Sequence, residues 1–251
     1  MPFLRVLFIT LAVFFSFQAK EAASGERLIV YAAASMKEAV EEIARAYQST
    51  CDCKIILSVG GTGMLARQVA QGAPAEIFIS ADKKWIEYLI EKQAINGKSI
   101  QIIAINQLII AVAKSHSGNE SALQLLGEKR FALADPLSVP AGRYAVEALK
   151  NLGEWEKIKL NAVQTENVRI ALSMAARGDV SAAIVYASDL LVEPRVKEVF
   201  RFAPNLHSKI EYLAALTNIA HSKASSFLDF LNSQKAQAIL QKFGFSVVTD
   251  K

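Results

Sequence analysis

Downstream of residue 27 the apolar positions switch repeatedly between two patterns. Residues 28–33 (LIVYAA) form a continuous apolar run, the mark of a strand buried on both faces. Met36, Ala39, Val40, Ile43, Ala44 and Tyr47 then recur at the spacing of one helix face. Ser35 and Glu38 form an S-x-x-E capping box, which predicts a helix beginning at Ser35. Strands follow at 54–59 (KIILSV) and 76–80 (EIFIS), with helices over 64–71 and through Trp85, Ile86, Leu89 and Ile90. Further on, strands are predicted at Leu108–Ala113, Phe131–Ala134, 161–163, Ala182–Tyr186 and Glu211–Leu216. Helices are predicted from Pro140 to about Leu152, over 167–177 ending at Gly178, and over 225–243. Strands alternating with helices specify an α/β protein with largely parallel sheets flanked by helices. Such sheets bind ligands beyond the carboxyl ends of their strands.

The first 23 residues break this pattern. Residues 1–5 carry one positive charge, 6–17 (VLFITLAVFFSF) are almost wholly apolar, and QAKEAASGE follows. That order is the signature of a secretory signal, and the apolar run is shorter than the roughly 20 residues of a membrane-spanning helix. Residues 1–23 are therefore expected to be a signal peptide, with Ala19, Ala22 or Ala23 as its last residue. No cysteine follows the run, so a soluble periplasmic protein is expected rather than a lipoprotein. The 251-residue chain is 52% apolar with a net charge of +4. That charge is small and dispersed and no basic run interleaves with aromatics, which argues against nucleic acid. The two cysteines, Cys51 and Cys53 in TCDCK, read either as incidental thiols in a loop or as one local bridge. A zinc site would need four ligands, and His116, His207 and His221 are scattered.

Five positions fall at strand ends or strand-to-helix junctions: Ser35, Thr62 in GGTG, Ala141 in VPAG, Val168 in ENVR and Tyr186 ending AAIVY. Such places offer hydroxyls and unpaired backbone N–H groups, which stabilise an anion without lysine or arginine. Donors alone suit an oxyanion that has lost all its protons. Taken singly, each has an ordinary reading: an N-cap, a tight turn, a helix start, a core valine, a packed tyrosine. GGTG lacks the lysine of a phosphate-binding P-loop. Arg67, Arg143 and Arg169, on helices near these junctions, read as solvated faces or inter-lobe ion pairs rather than ligand contacts. Asp82, Asp135 and Asp189 follow strands and suit caps or turns.

The phrases VYAAAS, LARQ-x-x-x-GAPAEIFISAD-x-KW, ADP-x-x-VPAGRYA-x-EAL, ENVR-x-AL and IVYASD are longer and more specific. Together, over about 28–245, they resemble the periplasmic molybdate-binding proteins of ATP-binding cassette importers. The resemblance implies a type II periplasmic-binding-protein fold, two α/β lobes joined by crossover strands with the ligand between them. It implies oxyanion contacts at Ser35, Thr62, Ala141, Val168 and Tyr186, with molybdate or tungstate as ligand and no cofactor. It also implies permease subunits as partners and a monomeric state. Within that frame Leu108–Ala113 and Glu211–Leu216 are expected to be the crossover strands. One lobe then comprises 26–107 plus 212–251, and the other 108–211. GGTG departs from the family's serine-rich turn: Thr62 keeps the hydroxyl but adds a methyl group and restricts χ1. The nearest alternative is the same fold loaded with sulfate or another tetrahedral oxyanion. An enzyme is disfavoured, because no nucleophile–base pair, HExxH, G-x-S-x-G or cofactor loop is present. A regulator's effector domain is disfavoured by the signal and the lack of a DNA-binding segment.

Overall fold

The computed structural model describes residues 26–247, so the segment read as a signal lies outside the described residues. The first part of the chain forms β1 (Glu26–Ala33), α1 (Lys37–Gln48), β2 (Cys53–Gly60), α2 (Thr62–Ala70), β3 (Ile77–Ser80), α3 (Lys83–Glu91) and β4 (Gln101–Ile105). The middle forms β5 (Leu108–Ala113), α4 (Ala122–Glu128), β6 (Phe131–Ala134), α5 (Pro140–Asn151), the single turn α6 (Trp155–Ile158), β7 (Ala162–Thr165), α7 (Val168–Arg177), β8 (Ala182–Tyr186) and β9 (Val196–Arg201). The chain then returns through β10 (Glu211–Leu216) to α8 (Ser222–Leu231) and α9 (Gln234–Lys242).

Two five-stranded sheets result, ordered β2-β1-β3-β10-β4 and β7-β6-β8-β5-β9. Each contains one reversed strand. β10 runs antiparallel to β3 and β4, and β5 runs antiparallel to β8 and β9. The chain crosses between the two lobes at 106–107 and again at 202–210. The α/β class read from the alternation is the class observed. Helices bury the stripes their periodicity predicts: α1 buries Ala39, Val40, Ile43, Ala44 and Tyr47, and α7 buries Val168, Ala171, Leu172 and Ala175. Among the described residues no helix is long and apolar enough to cross a membrane.

Local readings need correction at Ser35 and over 225–243, and three further elements are present. Ser35 does not cap a helix. It sits in a 3-10 turn, Ala34–Met36, and α1 starts after Met36 without a side-chain cap. Its hydroxyl is taken instead by the Tyr212 hydroxyl at 2.8 Å. The single helix read over 225–243 is two, because Ser233 accepts from the Ala236 N–H and restarts the chain as α9. Three elements carried too weak a pattern to read. β9 buries only Val196 at a sheet edge, β4 buries only Ile103 and Ala104, and α4 is seven residues long. Of the two readings of Cys51 and Cys53, the local bridge is the one formed, a disulfide leading into β2.

Candidate functional site

Ser35, Thr62, Ala141, Val168 and Tyr186 are all buried, and all five line one cavity between the lobes. Each is delivered by the end of a strand. β1 runs into the turn holding Ser35, and β2 runs through Gly60–Gly61 into Thr62, the first residue of α2. From the other lobe, β6 leads to Ala141 on α5, β7 leads to Val168 on α7, and β8 ends at Tyr186. The carboxyl ends of five strands therefore meet at one point, as open α/β sheets require of a ligand site.

The local sequence leaves particular donors unused there. Pro140 is the first residue of α5 and has no N–H, so Ala141 supplies the helix's first donor. At α7 the Asn167 side chain accepts from the Arg169 and Ile170 N–H groups, at 3.0 and 3.1 Å. That cap satisfies the second and third donors and leaves the first, Val168, facing the cavity. At α2 the Gly63 N–H donates across the cleft to the Ser138 carbonyl at 3.0 Å. The Tyr186 hydroxyl is buried with no hydrogen-bond partner among the described residues. Burial pushes its phenol well above the ordinary range, so the group stays a donor. A buried hydroxyl left without a partner is costly, and it marks a place where a ligand completes the structure.

Among the described residues no charged one lines the cavity. The nearby arginines are engaged with protein groups, as the sequence suggested. Arg143 pairs at 2.6 Å with Asp82, which is fully buried in the other lobe and also caps α3. Arg169 pairs with Asp189 at 3.0 Å, and across the cleft with Glu38 at 2.9 Å and the Ser35 carbonyl at 2.8 Å. Arg67 stacks over Trp85 at 5.5 Å. Asp135 serves a turn, accepting from the Leu137 N–H and the Ser138 hydroxyl. Among the described residues no three acidic, histidine or cysteine side chains gather where they could hold a metal ion. Arg143 and Arg169 thus fasten the lobes together around a neutral, donor-lined cavity.

Close approach of the two lobes depends on two glycines of the GGTG turn. A Cβ on Gly61 would lie 2.5 Å from the Glu166 carbonyl, and one on Gly63 would lie 2.3 Å from the Ser138 carbonyl. Both carbonyls belong to the opposite lobe, so backbone must meet backbone there. Sequence reasoning missed three contributors. Asn167 was detectable, since Asn before an apolar-periodic segment is an N-cap signal. Asn106 and Tyr212 carry no local signal, because their roles depend on partners 82 to 177 residues away.

Comparison with known proteins adds an independent finding. A family model described as bacterial extracellular solute-binding protein matches residues 28–246. The molybdate-binding protein ModA of Escherichia coli is 34% identical, with 96% of this chain and 97% of that protein covered. The molybdate-binding protein ModA of Haemophilus influenzae is also 34% identical, over 89% of this chain and 91% of that one. Among solved structures, the periplasmic molybdate-binding protein of Azotobacter vinelandii shares the fold with a TM-score of 0.78. The two are 24% identical, and the match covers 88% of this chain and all of that one.

Proposed function

The chain belongs to the bacterial extracellular solute-binding protein family, and on that premise we propose that it captures molybdate, or tungstate, between its lobes for an ATP-binding cassette importer. It is a binding protein, not an enzyme. The observation that carries the reading is the cavity itself, where hydroxyls and helix N-termini from both lobes surround a space with no charged lining. Charge-assisted hydrogen bonds from neutral donors can hold a desolvated dianion, and the helix dipoles add to them. The cavity is small, with about 10 Å³ open to the centre of a water-sized sphere, on the order of the room one compact group needs and far below the roughly 300–1,000 Å³ of pockets that hold drug-sized ligands. That favours a small inorganic ion. The ion touches groups from both lobes at once, so binding favours the closed form by hinge motion. No cofactor is needed. The protein acts as an exported periplasmic monomer that hands its ion to the permease subunits.

Calorimetric titration with molybdate, tungstate, sulfate and phosphate tests this. Saturable binding of one molybdate per chain, with tungstate close behind and phosphate excluded, is the expected result. Sulfate binding more tightly than molybdate would transfer the assignment to the smaller anion, and no binding of any of the four would overturn it.

A further inference from the structure

A chain of buried hydrogen bonds runs from the crossover segment to the Ser35 hydroxyl, and each link fixes the polarity of the next. It begins with the Gln107 N–H, which can only donate and does so to Asn106 Oδ1 at 2.9 Å. That bond orients the Asn106 amide. Its Nδ2, also a pure donor, then faces Ser188 Oγ at 2.8 Å and the Tyr212 hydroxyl at 3.4 Å. The Tyr212 oxygen therefore accepts from Asn106 and must place its own hydrogen elsewhere, because the side chain is fully buried. Ser35 Oγ, at 2.8 Å, receives it. Burial pushes the Tyr212 phenol above its ordinary range, so that hydrogen is retained.

We infer that Tyr212, oriented by Asn106, is a positioning residue that makes the Ser35 hydroxyl an obligate donor toward the bound anion. A serine hydroxyl has one hydrogen. With Tyr212 donating to it, Ser35 has no acceptor for that hydrogen among the described residues and presents it to the cavity. An oxyanion without protons accepts it. An oxyanion carrying a proton toward Ser35 gains nothing, because accepting that proton would leave the serine hydrogen buried and unpaired. The relay thus contributes to selection of fully deprotonated oxyanions over protonated ones such as hydrogen phosphate. It also ties the polarity of the site to the strand crossover, where the lobes hinge.

This inference rests on the oxyanion-binding reading, and the test separates the two. Asn106→Asp keeps the side chain's shape but turns the donor into an acceptor. Tyr212 would then donate to the carboxylate, and Ser35 would be free to donate to Tyr212 and accept from the ligand. The added negative charge weakens every anion, so the readout is a ratio. Near neutral pH, molybdate and sulfate carry no proton and phosphate carries at least one. The expected result is that molybdate and sulfate weaken by the same factor, while the molybdate-to-phosphate preference falls at least about tenfold. A second variant, Tyr212→Phe, should lower molybdate affinity at least about threefold in the wild-type background and have no effect in Ser35→Ala. Equal weakening of all three anions in Asn106→Asp, or additive losses for Tyr212→Phe and Ser35→Ala, would overturn the relay. A wild-type protein that binds none of these anions would instead overturn the functional reading beneath it.

Discussion

Removing the Tyr186 hydroxyl should move affinity and stability in different directions. The hydroxyl is buried and without a partner among the described residues, although a group of that kind ordinarily forms at least one hydrogen bond. In Tyr186→Phe the ring keeps its packing against Tyr212, where the centroids are 6.1 Å apart. Stability without ligand should therefore stay level or rise, since the deleted group satisfies nothing in the fold. Binding should weaken, because a hydrogen bond to a charged partner contributes about 1.5–3 kcal/mol. That corresponds to a loss of about 10- to 150-fold in molybdate affinity. Thermal unfolding with and without ligand reports both effects in one experiment. At a free molybdate concentration 100 times the wild-type Kd, ligand stabilises the wild type by about 2.7 kcal/mol. At the same concentration the variant should gain only about 0.3–1.4 kcal/mol. A folded Tyr186→Phe protein that keeps wild-type affinity would refute the claim that this hydroxyl meets the anion. A loss of ligand-free stability of several kcal/mol would show that the hydroxyl serves the fold instead.

Three further outcomes follow from the same geometry. Ser35→Ala and Thr62→Ala should each weaken molybdate binding about 10- to 150-fold by calorimetry, whereas Thr62→Ser should stay within a few-fold. Ser35→Ala should also lower ligand-free stability by about 1 kcal/mol, through the acceptor lost to Tyr212 rather than through a helix cap. Gly61→Ala should fold normally, since its φ of −61° suits any residue. Its new methyl group would meet the Glu166 carbonyl, so solution scattering should show the wild type contracting with molybdate and the variant failing to do so. Asp82→Asn should weaken the closed state by breaking the cross-cleft pair with Arg143, and dissociation of molybdate should quicken measurably in stopped flow. An unchanged dissociation rate would show that the pair is not part of the latch.

Much of this protein is written locally. The period of the apolar positions specifies the α/β alternation, because each helix needs only its own stripe to declare itself, as α1 and α7 do. The junction donors are equally local. Pro140 removes one N–H and exposes the next, and a hydroxyl at a strand end can be seen without knowing what it faces. Where the pattern was weak, as along the half-exposed edge strand β9, burial was too shallow to leave a clear period. Ser35 shows the opposite failure: its capping signature is genuine, but a tyrosine 177 residues away takes the hydroxyl. Convergence is what tertiary structure alone decided. The reversal of β10 brings the Tyr212 hydroxyl to Ser35, and the crossing at 106–107 brings Asn106 to Tyr212. Ion pairs between lobes, rather than ligand contacts, became the fate of Arg143 and Arg169 only when Asp82 and Glu38 arrived opposite them. Periodicity is a property of neighbours along a chain, whereas the polarity of a buried hydrogen-bond network depends on groups that meet only after the sheets have assembled.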